Sequence, residues 1–396
     1  MKSSTKGYRS SLIAKLWRDT RSRIGLIILC LALLISVLGA YIRPDDSKNA
    51  NQQHLVLAKK KPGFKAKILQ IKTNKIESDN FFGSGLFFGG VDNDIQEIPI
   101  EFYSIEDDYL VYIPLKEDFE KKMLLADVLY AIDVDSYDST DNGLVFTDMN
   151  GREINTSISE LVAASKEAIV ERTYFLGTDT FGRDLLSRLM GGVIFSLSVG
   201  FISVLISLVI GISLGAIAGF YRGWVDQVIM WFVNVIWSIP TLLMVIAITL
   251  VMGKGFVQVF IAVGLTMWVE VARVVRGQVI SIREKDFIEA TKALGYSEYR
   301  IISRHILPNI IGPVIVISAA NFASAILIEA GLSFLGIGTQ IPMPSWGMMI
   351  KEHYPFLTTD LAYLAFIPGL CIMILVLSFM LIGNRLRDVY DVKETS

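Results

Sequence analysis

The chain has 396 residues, of which 52% are hydrophobic, with a mean hydropathy of +0.50 and a formal net charge of −2. That apolar content exceeds an ordinary soluble domain's, and a near-neutral chain without a basic stripe is not organised around nucleic acid. Cys30 and Cys371 each sit in an apolar block without metal-ligating neighbours, and His54, His305 and His353 are far apart in sequence, so neither a disulfide framework nor a metal cluster is indicated.

Residues 1–23 are basic and amphipathic, with Lys2, Lys6, Arg9, Lys15, Arg18, Arg21 and Arg23 against the single acid Asp19. Ile24 to Ile42 is an apolar run of 19 residues, enough for one helical crossing. A cleaved leader calls for a shorter run and small residues at the cut. Here Leu38 spoils that pattern before Ala40, so the run is expected to be an uncleaved anchor.

Residues 43–172 differ in kind: they are polar and hold no spanning run. Apolar residues alternate in Phe64–Ile68 and in Ile98–Ile105, as in half-buried strands. Tyr109–Ile113 and Val128–Val134 are β-branched and aromatic, and Asn150-Gly151 predicts a hairpin turn between Leu144–Met149 and Arg152–Ile154. Ser157–Arg172 reads as a helix leading back to the membrane. The early part is lysine-rich (Lys59, Lys60, Lys61, Lys65, Lys67) and Asp92–Asp141 is acidic; solvated faces and a ligand role are both open. The stretch is long enough for a small domain of its own.

Five further apolar blocks follow, Val193–Phe220, Val225–Met252, Phe256–Ala272, Ile310–Leu335 and Leu361–Ile382, which with the first makes six. Basic residues set the direction. With the N-terminus inside, the inner segments carry Arg222, then Arg273, Arg276, Arg283, Lys285, Lys292, Arg300 and Arg304, then Arg385 and Arg387; the short outer loops carry only Lys254 and Lys351. Count and direction therefore support each other under the positive-inside rule. The expected fold is an all-α polytopic membrane protein of six transmembrane helices, with a β-rich α+β extracytoplasmic insert between helices 1 and 2. The expected divisions are an inner N-terminus 1–23, a first helix 24–42, the insert 43–172, a five-helix core 173–385 with an inner loop 273–309, and an inner tail 386–396.

Small residues crowd the second block (Gly200, Gly211, Gly215, Gly219), as close helix packing in lipid requires. Pro240 interrupts the third helix and Pro313 the fifth; a hinge near a pathway and a packed kink are equally open. Two acids fall inside spans. Glu270, one turn from Arg273, is expected to form an ion pair at the inner interface. Glu329 either lies near a translocation path or anchors the Gly336–Gly347 loop. Arg183 and Asp184 are expected to cap and pair.

Between the fourth and fifth blocks lies a charged island, Arg283 to Pro308. Phe287, Ile288, Thr291 and Leu294 fall on one helical face, and Lys285 and Glu289 are spaced to pair. Gly295 is placed to end that helix as a left-handed cap, Ser297 to start the next, and Pro308 to sit early in the fifth membrane helix. The pattern predicts a rigid helix–corner–helix unit. By itself it fits equally an interfacial helix resting on lipid.

EATKALG (289–295), nine residues, then His305-Ile-Leu-Pro308 resembles the EAA loop of ABC-importer permeases, matching at Glu289, Ala290, Gly295, Leu307 and Pro308 and departing at Thr291 and His305. The peptide-importer branch, second-permease type, is also resembled at Leu176–Asp184, Phe220–Asp226, Ala272–Gly277, Glu329–Gly336 and Pro344–Gly347. The similarity covers about residues 8–42 and 173–390; the family's outer loop is shorter than residues 43–172.

The resemblance implies a type I ABC-importer permease in a bacterial inner membrane, both termini cytoplasmic. Its partners would be a cytoplasmic ATPase, a second homologous permease (a heterodimer) and an extracytoplasmic substrate-binding protein. It further implies that Phe287, Ile288, Glu289, Ala290, Thr291, Ala293, Leu294 and Gly295, with Leu307 and Pro308, form the contact with the ATPase. Pro240, Glu329 and Trp346 are candidates for a path or gate. The chain has no Gly-x4-Gly-Lys-Ser/Thr loop, so no enzyme activity or cofactor is expected in it, ATP and Mg²⁺ belonging to the partner. Peptides are the expected cargo, with nickel chelates, glutathione or another small solute as alternatives. A stand-alone secondary transporter would show inverted repeats or ionisable rows, and an intramembrane protease a Ser/His or paired-Asp arrangement; neither pattern appears.

Overall fold

The computed structural model describes residues 14–73, 95–133, 136–140, 143–149, 151–253 and 255–394. They divide into two compact units, Val37–Gly191 and Met1–Ser36 with Gly192–Ser396.

The second of these is helical. Helix α1 (Thr20–Ile42) lies along the last helix: a Cβ on Gly25 would come within 2.9 Å of the Ser378 carbonyl oxygen, and Leu16, Ile382 and Leu386 bury together. Helix α4 (Leu185–Tyr221) is followed by α5 (Gly223–Trp237) and α6 (Thr241–Met252), then α7 (Phe256–Arg283). After the island come α10 (Ile311–Leu335), a short α11 (Trp346–His353) and α12 (Tyr363–Glu394). Five of these helices are long and apolar enough to cross a membrane; α5 and α6 make a sixth span only as a pair bent by 88°.

The prolines behave differently. Pro240 marks that break, ahead of the first residue of α6, as expected of a residue that cannot continue a hydrogen-bond ladder. Pro313 does not interrupt its helix: it is the third residue of α10, in a turn whose N–H groups have no intrahelical acceptor anyway. Gly211, Gly215 and Gly219 form a seam against α7. A Cβ at Gly215 would sit 2.5 Å from the Ala272 carbonyl oxygen.

In the other unit, α1's end leads to a five-stranded antiparallel sheet of order β4-β3-β2-β1-β8, built from β1 (Phe64–Lys72), β2 (Ile95–Glu106), β3 (Tyr109–Pro114), β4 (Lys121–Leu124) and β8 (Ile169–Tyr174). A smaller sheet joins β5 (Asp138–Thr140), β6 (Gly143–Thr147) and β7 (Glu153–Thr156). Strand β1 is buried on both faces: Leu69 and Ile71 face the main core with Ile100, Leu110, Phe146 and Leu161, while Ala66 and Ile68 pack with Leu57 and Tyr174. Gly151 adopts the positive φ of the expected hairpin turn; Asn150 lies outside the described residues.

Two expectations here are corrected. Residues 125–130 form a helix, α2, which takes in Val128–Tyr130, the start of the stretch read as strand-like. Leu125 and Val128, three apart, both bury, and Ala131 in the left-handed region ends the turn, so packing overrides β-propensity. The second helix, α3 (Ile158–Glu167), starts on a capping box at Ser157 and Glu160 but stops short of Arg172. Ile169 onward is instead the edge strand β8, paired to β1.

That strand delivers Arg172 to a buried carboxylate. Glu97 of β2 accepts from Arg172 Nη1 and Nη2 at 2.7 and 2.6 Å, from Gln70 Nε2 at 3.1 Å, and lies 3.2 Å from His54 Nε2. Burial alone would raise its pKa. The hydrogen bonds from His54 and Arg172 and the guanidinium charge outweigh burial and hold it at about 2. Because that lies below the unfolded value of 4.5, the stabilisation is complete above 4.5 and is lost as pH falls toward 2. The melting temperature should therefore fall as pH is lowered from about 6 to about 3. The Glu97→Gln variant should melt lower at the upper pH and lose much of that slope; parallel profiles for the two proteins would rule out Glu97 as the cause.

Candidate functional site

The charged island folds as a pinned corner. Helix α8 (Asp286–Ala293) is followed by one turn, α9 (Glu298–Ile301), then a π turn at Ile302–Ile306 and a tight turn at Leu307–Asn309 before α10. Pro308 thus sits in the connecting turn and not inside the fifth membrane helix. Gly295 has φ 74°, its N–H donates to the Lys292 carbonyl at 2.9 Å, and Tyr296 N–H donates to Thr291 at 3.2 Å. This is a Schellman end, which a residue free to adopt left-handed backbone closes at least cost. Ser297 stands at the next N-cap position, although its hydroxyl makes no cap bond.

The apolar face of α8 splits in two. Ile288 is fully buried and Thr291 nearly so, the Thr291 hydroxyl donating to the Ile288 carbonyl at 2.7 Å. Ile288, Ile301 and Ile306 share one core with Phe220 of α4, Val275, Val279 and Ile282 of α7, and Ile310. Burying a side chain such as Ile288 contributes about 2 kcal/mol, so three such contacts hold the corner to the helices beneath it. Phe287 and Leu294 instead stay exposed, at 41% and 71%, as does Tyr299 of α9 at 82%. Glu289, Ala290, Ala293 and Gly295 are exposed as well. The sequence places Phe287 and Leu294 on the same helical face as Ile288 and Thr291. Lys285 and Glu289 do not pair among the described residues; Lys285 occupies the N-cap of α8. Leu307 is half-buried, and Phe287 and Pro308 border an inner cavity of about 970 Å³ together with residues of α7, α10 and α12.

Charges tie the corner to the helix ends around it. Arg222 donates to Glu284 at 2.6 Å, and Arg276 makes a bidentate pair with Asp226 at 2.5 and 2.6 Å. The second pair joins two stretches that the sequence singled out separately, Phe220–Asp226 and Ala272–Gly277. Tyr296 and His305 rings lie 5.8 Å apart across the corner, with Arg300 over Tyr296 at 4.3 Å. The departure at His305 is thereby a packing contact that fixes α9 to the turn behind it.

The remaining candidates separate. Glu329 is buried and accepts from Ser333 Oγ at 2.6 Å and from Ser345 Oγ at 2.8 Å, so the Glu329–Gly336 and Pro344–Gly347 stretches also meet. Trp346 opens α11, is 3% exposed and packs where a Cβ on Gly192 would be 2.4 Å from its Nε1. Pro240 is exposed at the helix break. Arg183 pairs with Asp179 at 2.5 Å, and Asp184 caps α4 by accepting from Ser187 N–H at 2.8 Å. Glu270 makes no ion pair with Arg273: the Arg273 guanidinium lies 3.7 Å from the centre of the Trp237 ring instead. Trp237 is 36 residues back in the chain, and no local spacing could have signalled it.

Comparison with known proteins gives this arrangement a family. Residues 211–392 match the family described as binding-protein-dependent transport system inner membrane component. The dipeptide transport system permease protein of Alkalihalophilus pseudofirmus is 41% identical over 223 residues, 56% of this chain and 73% of that one. The chain belongs to this permease family. The oligopeptide transport system permease protein of Bacillus subtilis is 35% identical, over 60% of this permease and 77% of its own length. A glutathione transport system permease protein of Pectobacterium atrosepticum is 38% identical, over 56% and 73% respectively. Among solved structures, an inward facing conformation of the MetNI methionine ABC transporter aligns with 52% of the permease and 96% of its own chain, at 20% identity and a TM-score of 0.44. The permease is thus a multi-pass membrane subunit of an ABC importer. The sheet-bearing insert lies outside the 211–392 match.

Proposed function

We propose that this permease carries peptides, and that the α8–α9 corner is where a separate cytoplasmic ATPase delivers the work of ATP hydrolysis. The observation that carries the proposal is the split face of α8: Ile288 is buried in a core shared with α4, α7 and α10 and Thr291 is nearly buried, while among the described residues Phe287 and Leu294 stay exposed. A corner packed on three membrane helices transmits displacement to all of them, and its exposed apolar side chains are suited to a groove. Glu289, Ala290, Ala293 and Gly295 complete the outward surface.

ATP and Mg²⁺ sit on the ATPase in this reading, and the chain supplies no catalytic residue or cofactor site. Basic residues on the corner and tail support a cytoplasmic position for both. A second homologous permease completes the pathway as a heterodimer, and an extracytoplasmic binding protein hands over the cargo. Peptides as cargo rest on the dipeptide and oligopeptide relatives; the glutathione relative sets the alternative. The insert, on the outer side by the same charge argument, seats the binding protein.

Gly295→Pro removes the N–H that bonds Lys292 and imposes a φ near −65° where +74° is needed. Glu289→Arg reverses a charge that makes no bond within the described residues, so its effect reads out on a partner. Both variants should insert normally yet lose peptide uptake and co-purify with less ATPase; uptake at the native rate in either would end the docking proposal. Replacing residues 43–172 by a short linker should weaken association of the binding protein in pull-down. Unchanged association and uptake would make the insert dispensable to delivery.

A further inference from the structure

Glu270 lies midway along α7, fourteen residues from its start at Phe256, with buried Val269 before it and buried Val271 after it. Its side chain is exposed, and among the described residues no hydrogen bond or ion pair reaches it. A lone carboxylate on an apolar spanning helix is costly in lipid and calls for water or a partner from outside the chain. It opens onto a cavity of about 310 Å³, shared with Trp237, Thr241, Met244, Thr266 and Ser324. That volume is in the range of small-ligand sites.

The cavity sits at the α5–α6 break. Thr241 is the first residue of α6, where backbone N–H groups lack intrahelical acceptors. Broken membrane helices of this kind border substrate sites. The neighbouring cation makes no ion pair with the acid: the Arg273 guanidinium is stacked on Trp237. The cavity therefore offers one anionic acceptor at Glu270, with hydroxyls and helix-start donors beside it. Its complement is an ammonium group with an adjoining carbonyl, the chemistry of a peptide's amino end.

We propose that Glu270 binds the ammonium group of the cargo as it passes through the membrane-spanning bundle. The proposal rests on the peptide reading above and assigns a subsite to it. A basic side chain of the second permease is the competing occupant. It would fill the cavity permanently and leave no aqueous access.

Two measurements on the assembled importer in proteoliposomes decide between them. In the first, uptake of Ala-Ala is compared with uptake of its N-acetylated form. Glu270→Gln should raise KM for the free-amine dipeptide about tenfold or more, the scale of a lost charge-assisted hydrogen bond. Uptake of the acetylated form should be poor in the native importer and no poorer in the variant, and Glu270→Asp should recover part of the loss. Equal losses for both dipeptides, or none, would overturn the subsite. If the native importer takes up neither dipeptide, the peptide reading itself fails.

The second measurement needs no cargo. Ser324→Cys, in a chain with Cys30 and Cys371 changed to Ser, is treated with a cationic and an anionic methanethiosulfonate. The cationic reagent should react several-fold faster, and adding Glu270→Gln should abolish that preference. An unreactive thiol in the Ser324→Cys chain, or a preference indifferent to residue 270, would reject the cation site whatever the cargo proves to be.

Discussion

The burial of Ile288, Ile301 and Ile306 against Phe220, Val275, Val279 and Ile310 is the contact on which the rest of this permease depends. It joins a surface helix of eight residues to helices that cross the membrane. An isolated helix of that length is marginal in water, so α8 owes its shape to this core and to the Gly295 cap. The same core makes the corner stiff. Movement at Phe287 or Leu294 cannot be absorbed locally; it passes to α4, α7 and α10 together. Arg276–Asp226 and Arg222–Glu284 brace the helix ends around it.

Within the bundle, the Gly211–Gly215–Gly219 seam lets α7 lie directly on α4. That closeness holds one face of α7 shut, through buried Val271, Val275 and Val279, and leaves another facing the α5–α6 break, where Glu270 is exposed. The two proposed regions, the Glu270 cavity and the coupling corner, are thus successive stretches of one helix and the corner that follows it. A displacement of the corner acts on α7 directly, which links the surface where energy would enter to the cavity where cargo would be held.

Much of this was legible in the sequence because it is written in local terms. Span lengths, charge asymmetry, the Gly295 cap and the alternation in β1 and β2 depend on neighbours a few residues apart. What was not legible depends on partners far along the chain. The Glu270–Arg273 ion pair, reasonable for residues one turn apart, gave way to Arg273 stacking on Trp237. The single apolar face of α8 divided because Ile288 joins a core with Val275 and Val279 of α7 while Phe287 and Leu294 stay exposed. Val128–Tyr130 begin the stretch whose β-branched and aromatic side chains suggested a strand, yet they are helical, since Leu125 and Val128 meet a core assembled from β1, β3 and β6. Residues 169–172 left the expected helix because β1 offered an unpaired edge and Glu97 a carboxylate for Arg172.

The central claim is that the exposed face of α8 is covered by an ATPase subunit in the working importer. Leu294→Cys, in a chain without Cys30 and Cys371, tests it directly: thiol labelling of that position is compared in the isolated permease and in the assembled complex. Fast labelling in the isolated chain, strong protection in the complex, and a crosslink to the ATPase with a short bifunctional reagent are the predicted results. Equal labelling in both, with no crosslink, would contradict the account.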